Sequence, residues 1–380
     1  MKIIIINNLY SPWARGGAER IAEKTVEGLA KAGHEVFVIA TAPSESRTDK
    51  IYYLPSIFYN LEKYPLAVRF FWHLWDLVNF VNAKKIKKFL ADKKPDLVIT
   101  HNLQGIGYLL PRLLRKMKIK HIHTLHDIQL LHPSGLMIWA KEKMIDTLPA
   151  KIYQAITRAL IVLPAAVISP SAWLLREHEK KGFFEKSAKI VLPNYFNQLK
   201  IKNEKLKIGR NSFSFLYVGQ IEEHKGVNFL VAAFSKILLE NPAAELIVVG
   251  GGAKLEEIKR LAEGKAAIKI LGRKNENEVR ELMLAADCLI VPSLCYENSP
   301  TVIYEAIASR LPVIGAKIGG ITELLEAAGG ILFEPGNADD LAKKIAEIIK
   351  DKEELESIRA KQESWVPPDY IDELLKLAKA

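Results

Sequence analysis

Glu297 and Glu305 stand in the stretch PSLCYENSPTVIYEAIAS, residues 292–309, directly after the apolar run Leu289–Val291. Ser299 followed by Pro300 reads as an N-cap and a first helical residue. Glu297 then lies in the loop ahead of a helix, and Glu305 lies inside it, roughly 7–8 Å past the cap at helical rise. The unbonded N–H groups near Thr301 and Val302, with the positive end of the helix dipole, suit a phosphate. A nucleotide diphosphate-sugar matches this order of groups: sugar hydroxyls at Glu297, phosphates at the helix start, ribose at Glu305. The spacing also arises by chance from a surface glutamate and a solvated helix glutamate. The strand, loop and capped helix around it are what single the pair out.

A second candidate is FLYVGQIEEHKG, residues 215–226. A strand ends at Gly219, and Lys225 precedes the next helix, where its ammonium can meet a diphosphate in a charge-assisted bond of about 1.5–3 kcal/mol. Standing alone, it is also an ordinary solvated lysine. In SPWARGGAER, residues 11–20, Gly16 and Gly17 open a helix after the first strand, where backbone comes close to a ligand or partner. GGGAKL, residues 250–255, lacks the full dinucleotide fingerprint, and no acidic residue sits suitably on a following strand end, which argues against a nicotinamide cofactor.

His121 and His123 alternate along a strand and read as packing residues, whereas His126 and Asp127 fall at its carboxyl end. Zinc needs three or four convergent ligands, so a metal is the weaker reading and a polar contact from His126 to a hydroxyl the stronger. No Asp-x-Asp occurs in the chain, and protein cations and dipoles are therefore expected to carry the phosphate charge without a metal.

The elements that must position these groups alternate strand and helix in both halves. Apolar β-branched runs fall at 3–6, 36–39, 97–100, 119–124, 167–169 and 190–192, and again at 213–218, 246–249, 268–271, 289–291, 313–314 and 331–333. Helical periodicity lies between most of them, as from Ala18 to Ala30. Such alternation builds parallel sheets with helices on both faces, and ligands bind beyond the carboxyl ends of the strands. A chain of 380 residues exceeds one ordinary core, so two domains are expected, with the break in the polar, lysine-rich stretch Tyr195–Asn211.

In this order, SPWARGGAER, THNLQG, HTLHD, SPSAW, LPN, YVGQIEEHKG, VVGGGA, PSLCYENSPTVIYEA and IGGITELL resemble the GT-B glycosyltransferases, specifically glycosyltransferase family 4, over nearly the whole chain. The resemblance implies an α/β fold of two Rossmann-like domains whose parallel sheets face each other across a cleft. The acceptor domain would be 1–195 with a C-terminal helix, 366–380, returning to it; the donor domain would be 196–365. It further implies metal-independent, retaining transfer of a hexose from a nucleotide diphosphate-sugar to a hydroxyl of a glycan or lipid-linked acceptor. No cofactor is expected.

On the matching positions, Glu297 resembles the acid that holds the donor sugar hydroxyls, and Glu305 the one that binds the ribose. Asn298, Ser299, Pro300 and Thr301 stand where the family contacts sugar and phosphate. Lys225 resembles the lysine of the family's Arg/Lys pair on the diphosphate. The arginine of that pair is Gln220 here, a departure, since a neutral amide hydrogen-bonds a phosphate without neutralising it; Arg273 is a candidate compensating cation. Gly17 resembles the glycine whose backbone approaches the phosphate or acceptor, and His126 the histidine near the donor sugar. His126, Glu297 and Lys225 are the expected catalytic groups. A nucleotide-sugar 2-epimerase and, because of Gln220, a noncatalytic nucleotide-sugar-binding protein are the alternatives.

The charge is uneven. Residues 1–195 hold 29 Lys and Arg against 16 Asp and Glu, or +13; residues 196–380 hold 25 against 28, or −3. The first half is thus expected to meet something anionic, an acceptor or a membrane surface. Residues 57–88 are dense in aromatics and end in Lys84, Lys85, Lys87 and Lys88. They read either as an interfacial helix with a cationic end or as a helix packed into the first domain. Nucleic acid is not expected, because no binding motif accompanies the charge. The longest apolar run, 159–168, is too short to span a bilayer, and the N-terminus reads as a buried strand rather than a signal peptide. With only Cys288 and Cys295, a cytoplasmic protein is expected, peripheral at the inner face of the membrane.

Overall fold

The computed structural model describes residues 1–194 and 212–379, so the expected break at 195–211 lies outside the described residues. These fall into two compact units. One comprises residues 1–137, 142–194 and 368–379; the other comprises Ile138–Lys141 and 212–367.

The first unit is built on an eight-stranded sheet. In chain order its strands are β1 (Lys2–Ile6), β2 (Glu35–Ala42), β3 (Ser46–Arg47), β4 (Ile51–Pro55), β5 (Leu97–Thr100), β6 (Lys120–Thr124), β7 (Ala166–Ser169) and β8 (Ala188–Val191). Their spatial order is β3-β4-β2-β1-β5-β6-β7-β8, parallel except where β3 meets β4. Ile3 to Ile6 of β1 are wholly buried, as a strand covered on both faces requires; each such side chain contributes about 1.5–3 kcal/mol. The expected strand runs all appear, whereas β3 and β4 carry no signal of their own. The IYYLP segment of β4 becomes a strand by pairing with β2 in parallel register, a tertiary effect on a weak local preference.

The first helix, Gly17–Lys31, starts because Glu19 folds back to accept the Gly16 N–H at 2.8 Å. The helix Tyr370–Lys379 follows Pro367 and Pro368, and buries Tyr370, Ile371 and Leu374 against Ile3, Ala22 and Ile99 of this unit. Lys120 Nζ donates to the Ala378 carbonyl at 2.8 Å and ties down its end.

The second unit carries a six-stranded parallel sheet of β9 (Phe213–Val218), β10 (Ala244–Val249), β11 (Ile268–Gly272), β12 (Cys288–Val291), β13 (Val313–Ala316) and β14 (Ile331–Phe333). The order is β11-β10-β9-β12-β13-β14. The chain winds outward in one direction from β9 and in the other from β12. The crevice beyond the carboxyl ends of those two neighbours is therefore the topological switch point, where such sheets bind ligands.

Candidate active site

Lys225 follows β9 through a short 3-10 turn, Glu223–Lys225, and Glu297 follows β12. Because β9 and β12 are hydrogen-bonded neighbours, both loops open at the same switch point. Lys225 Nζ donates to Glu297 Oε1 at 2.5 Å, and Ser293 Oγ donates to the same oxygen at 2.9 Å. Both side chains of the pair are largely buried, 23% and 17% exposed. Burial works against the Lys225 ammonium, but the adjacent Glu297 carboxylate outweighs it and holds the lysine above its ordinary pKa.

Two glycines make this approach possible. Gly226 has φ +72°, and a Cβ there would sit 1.9 Å from the Pro292 carbonyl oxygen, so only glycine lets the β9 loop press against the β12 loop. Gly319 has φ +55° and lies against the Glu297 carbonyl, which accepts the Gly320 N–H at 2.8 Å. The Glu297 loop is thereby held from both sides.

The helix after Glu297 runs Thr301–Ala308, with Pro300 as its N-cap. This corrects the expectation of Ser299 as cap and Pro300 as first helical residue. The Ser299 hydroxyl and Tyr304 Oη, one turn on, are hydrogen-bonded at 2.6 Å. Asn298 is buried, and Thr301 and Glu305 are half-buried on this helix start and its second turn. Gln220 is exposed just past β9. Arg273, exposed after β11, lies across Gly251, whose carbonyl accepts the Ile221 N–H at 3.1 Å. The guanidinium thus flanks the segment that carries Gln220.

In the first unit, β1 and β5 are neighbours, and helices and loops leave in opposite directions from them. Gly17 opens the helix after β1 and is exposed. His126, two residues past β6, stacks on His101, one residue past β5, with ring centroids 5.0 Å apart. His101 Nδ1 and His126 Nε2 are 2.7 Å apart, so one ring donates to the other. Burial depresses both: His126 to about 4 and His101 well below the ordinary value, with the neighbouring His126 adding to the effect. Both are neutral near pH 7. His121 and His123 are buried and share the Thr100 hydroxyl at 2.7 and 2.8 Å, a packing role. Asp127 accepts from the Gln129 N–H at 2.7 Å and from Asn102 Nδ2 at 3.3 Å, and burial raises it to about 6. Among the described residues, no group of three or more His, Cys, Asp and Glu is arranged to hold a metal ion.

The sequence reading missed Ser293, His101 and the segment Ile138–Lys141. Ser293 and His101 each lie within two residues of a strand's carboxyl end, a signal that was there to be used. The segment Ile138–Lys141 had no signal. It joins the second unit through an antiparallel bridge from Ile138 to Cys295, two positions before Glu297, and a Trp139 N–H to Leu294 carbonyl bond of 2.9 Å. Cys288 and Cys295 are buried free thiols.

Two doubly wound units, each built on a largely parallel sheet, make up a GT-B fold. The family model for glycosyl transferases group 1 matches residues 200–365, and that for glycosyltransferase family 4 matches residues 15–195; the chain belongs to glycosyltransferase family 4. Among its relatives is a 42.6 kDa protein in the cps region of Klebsiella pneumoniae, 29% identical over 91% of this chain and 96% of that protein. Another is Bacillus subtilis TuaC, whose name assigns it to teichuronic acid biosynthesis, 25% identical over 100% of this chain and 94% of its own. Sucrose-phosphate synthase of Thermosynechococcus elongatus superposes with a TM-score of 0.75 at 20% identity, over 99% of this chain and 98% of its own. Anabaena HepE, solved with UDP, gives 0.74 at 19% identity over 100% of both chains. Likeness at that identity establishes the fold. No helix among the described residues is long and apolar enough to cross a membrane.

Proposed function

We propose that this enzyme moves a hexose from a nucleotide diphosphate-sugar to a hydroxyl of a glycan or lipid-linked acceptor, retaining the anomeric configuration and using no metal or other cofactor. The observation that carries the reading is the Lys225–Glu297 pair at the switch point of the second sheet. A lysine ammonium has three donors, so after its bond to Glu297 it keeps two for a diphosphate. As the anomeric bond breaks, negative charge grows on the leaving diphosphate. Lys225, Arg273 and the start of the helix Thr301–Ala308 stabilise that charge where it develops. Glu297 and Asn298 hold the sugar hydroxyls, Glu305 the ribose, and neutral His126, braced by His101, supplies a polar contact at the reacting sugar. The acceptor hydroxyl attacks from the face that the diphosphate leaves, and the leaving oxygen takes its proton. In this reading 1–195 with the C-terminal helix binds acceptor and 196–365 binds donor. That HepE was solved with UDP-glucose supports a nucleotide-sugar donor here.

The enzyme acts, in the same reading, peripherally at an anionic membrane surface on its cytoplasmic side. The helix Leu66–Leu77 exposes Leu66 (78%), Phe70 (60%) and Phe71 (67%), and Phe80 (60%) follows it. Trp72 stacks inward on Phe58, at 5.8 Å between centroids. An exposed apolar face followed by Lys84, Lys85, Lys87 and Lys88 suits a bilayer interface with anionic headgroups. Incubation with a panel of nucleotide sugars, with and without glycan and lipid-linked acceptors, tests the transfer. Acceptor-dependent release of nucleotide supports it, and release independent of acceptor contradicts it.

A further inference from the structure

A cavity of about 780 Å³ opens in the first unit at the end of its sheet opposite His126. It is walled by Arg112, Arg115 and Lys116 from one helix end, Arg158 from another, and Lys186 and Glu185 from the loop before β8. All of these elements precede strands β6, β7 or β8, whereas the histidines follow β5 and β6. The cavity therefore lies at the amino ends of the strands, a place that the transfer reading leaves unused.

Its charge is one-sided: five cations face a single carboxylate, a net of four positive. The guanidiniums are also held in place. Arg112 donates through Nε (3.3 Å) and Nη2 (3.0 Å) to the Ala159 carbonyl, and Arg158 Nη1 donates to the Lys181 carbonyl at 2.7 Å. Each arginine has five N–H donors, so three remain on Arg112 and four on Arg158. Helix C-termini draw cations in any protein, which accounts for one or two of these residues. That attraction does not explain why cations from three separate elements line one cavity. Apolar Ile161, Val162, Leu163 and Phe184 complete the lining.

We infer that this cavity binds a small molecule carrying a diphosphate or two phosphate groups on an organic framework. A single carboxylate or phosphate monoester leaves half or more of the positive charge unmatched. Two phosphate groups bring about three to four negative charges and a terminal organic diphosphate about two to three, and their oxygens suit the forked guanidinium donors. The volume leaves room for an organic group beside the apolar part of the lining.

Isothermal titration of the full chain with inorganic pyrophosphate at low ionic strength tests this. The expected result is saturable binding that persists in Lys225→Ala, whose donor site is impaired, and that Arg115→Glu/Lys116→Glu added to that background weakens by about tenfold or more. Arg115 and Lys116 are exposed, and Lys186→Glu, outside any helix, gives an independent variant with the same expected loss. The inference is overturned by absence of saturable binding to the wild-type chain or by undiminished affinity in both charge-reversal variants. It is equally overturned by loss of binding in Lys225→Ala, which assigns the pyrophosphate to the donor site.

Discussion

Lys225 and Glu297 are 72 positions apart in the chain yet share a 2.5 Å bond, because β9 and β12 are neighbours in the sheet and Gly226 allows their loops to touch. In the proposed mechanism this sets the cation for the leaving diphosphate beside the acid for the sugar. That placement lowers the ordering cost of the reaction.

If Lys225 bears on the diphosphate, Lys225→Ala weakens nucleotide diphosphate binding roughly 10- to 150-fold, the equivalent of about 1.5–3 kcal/mol. Titration calorimetry reads this directly. Unchanged affinity removes the lysine from the phosphate site.

Gln220 and Arg273 make a paired prediction. Arg273 lies across Gly251 beside the Gln220 segment, so Arg273→Ala is expected to weaken diphosphate binding. Adding Gln220→Arg to that variant restores a cation close by and recovers the affinity. Equal affinities in all three proteins contradict the compensating role.

Acid sensitivity follows from the histidines. Burial depresses His101, His123, His121 (about 3), His126 (about 4) and His178 (about 4), so they are neutral in the fold and protonate on unfolding. Acidification below about 6.5 therefore favours the unfolded chain. Three buried carboxyls oppose this. Asp76 (about 7), Asp127 (about 6) and Glu19 are raised by burial and take up protons in the fold. The depressed histidines outnumber the three raised carboxyls, and a net loss of stability is expected between pH 7 and 5. Urea denaturation at the two values measures it; equal stability contradicts the sign.

The exposed face of the helix Leu66–Leu77 makes a membrane prediction. The wild-type chain is expected to co-sediment with anionic vesicles more than with neutral ones, and Phe70→Asp/Phe71→Asp to abolish most of that binding. Those side chains are exposed, so the variant is expected to fold normally. Equal sedimentation by variant and wild type contradicts the lipid-facing reading.

The apolar β-branched runs made most of the two sheets legible, since buried parallel strands have no polar face to blur them. The acidic motif and Lys225 were legible because each follows such a run. Strand β4 was not, because IYYLP becomes a strand only by pairing with β2. Trp139 was not, because its bond to Leu294 joins segments with no common sequence signal. The helix start lies one residue later than the Ser-Pro signal placed it, at Thr301 with Pro300 as cap, within the one- or two-residue latitude of helix ends.

Glu297→Ala is the most direct test of the donor site. Nucleotide release from the preferred nucleotide sugar, in the presence of acceptor, is expected to fall about 100-fold or more. The variant is expected to stay folded with a lowered thermal midpoint, because the largely buried Lys225 ammonium loses its partner. Near wild-type turnover in a folded Glu297→Ala protein contradicts the account.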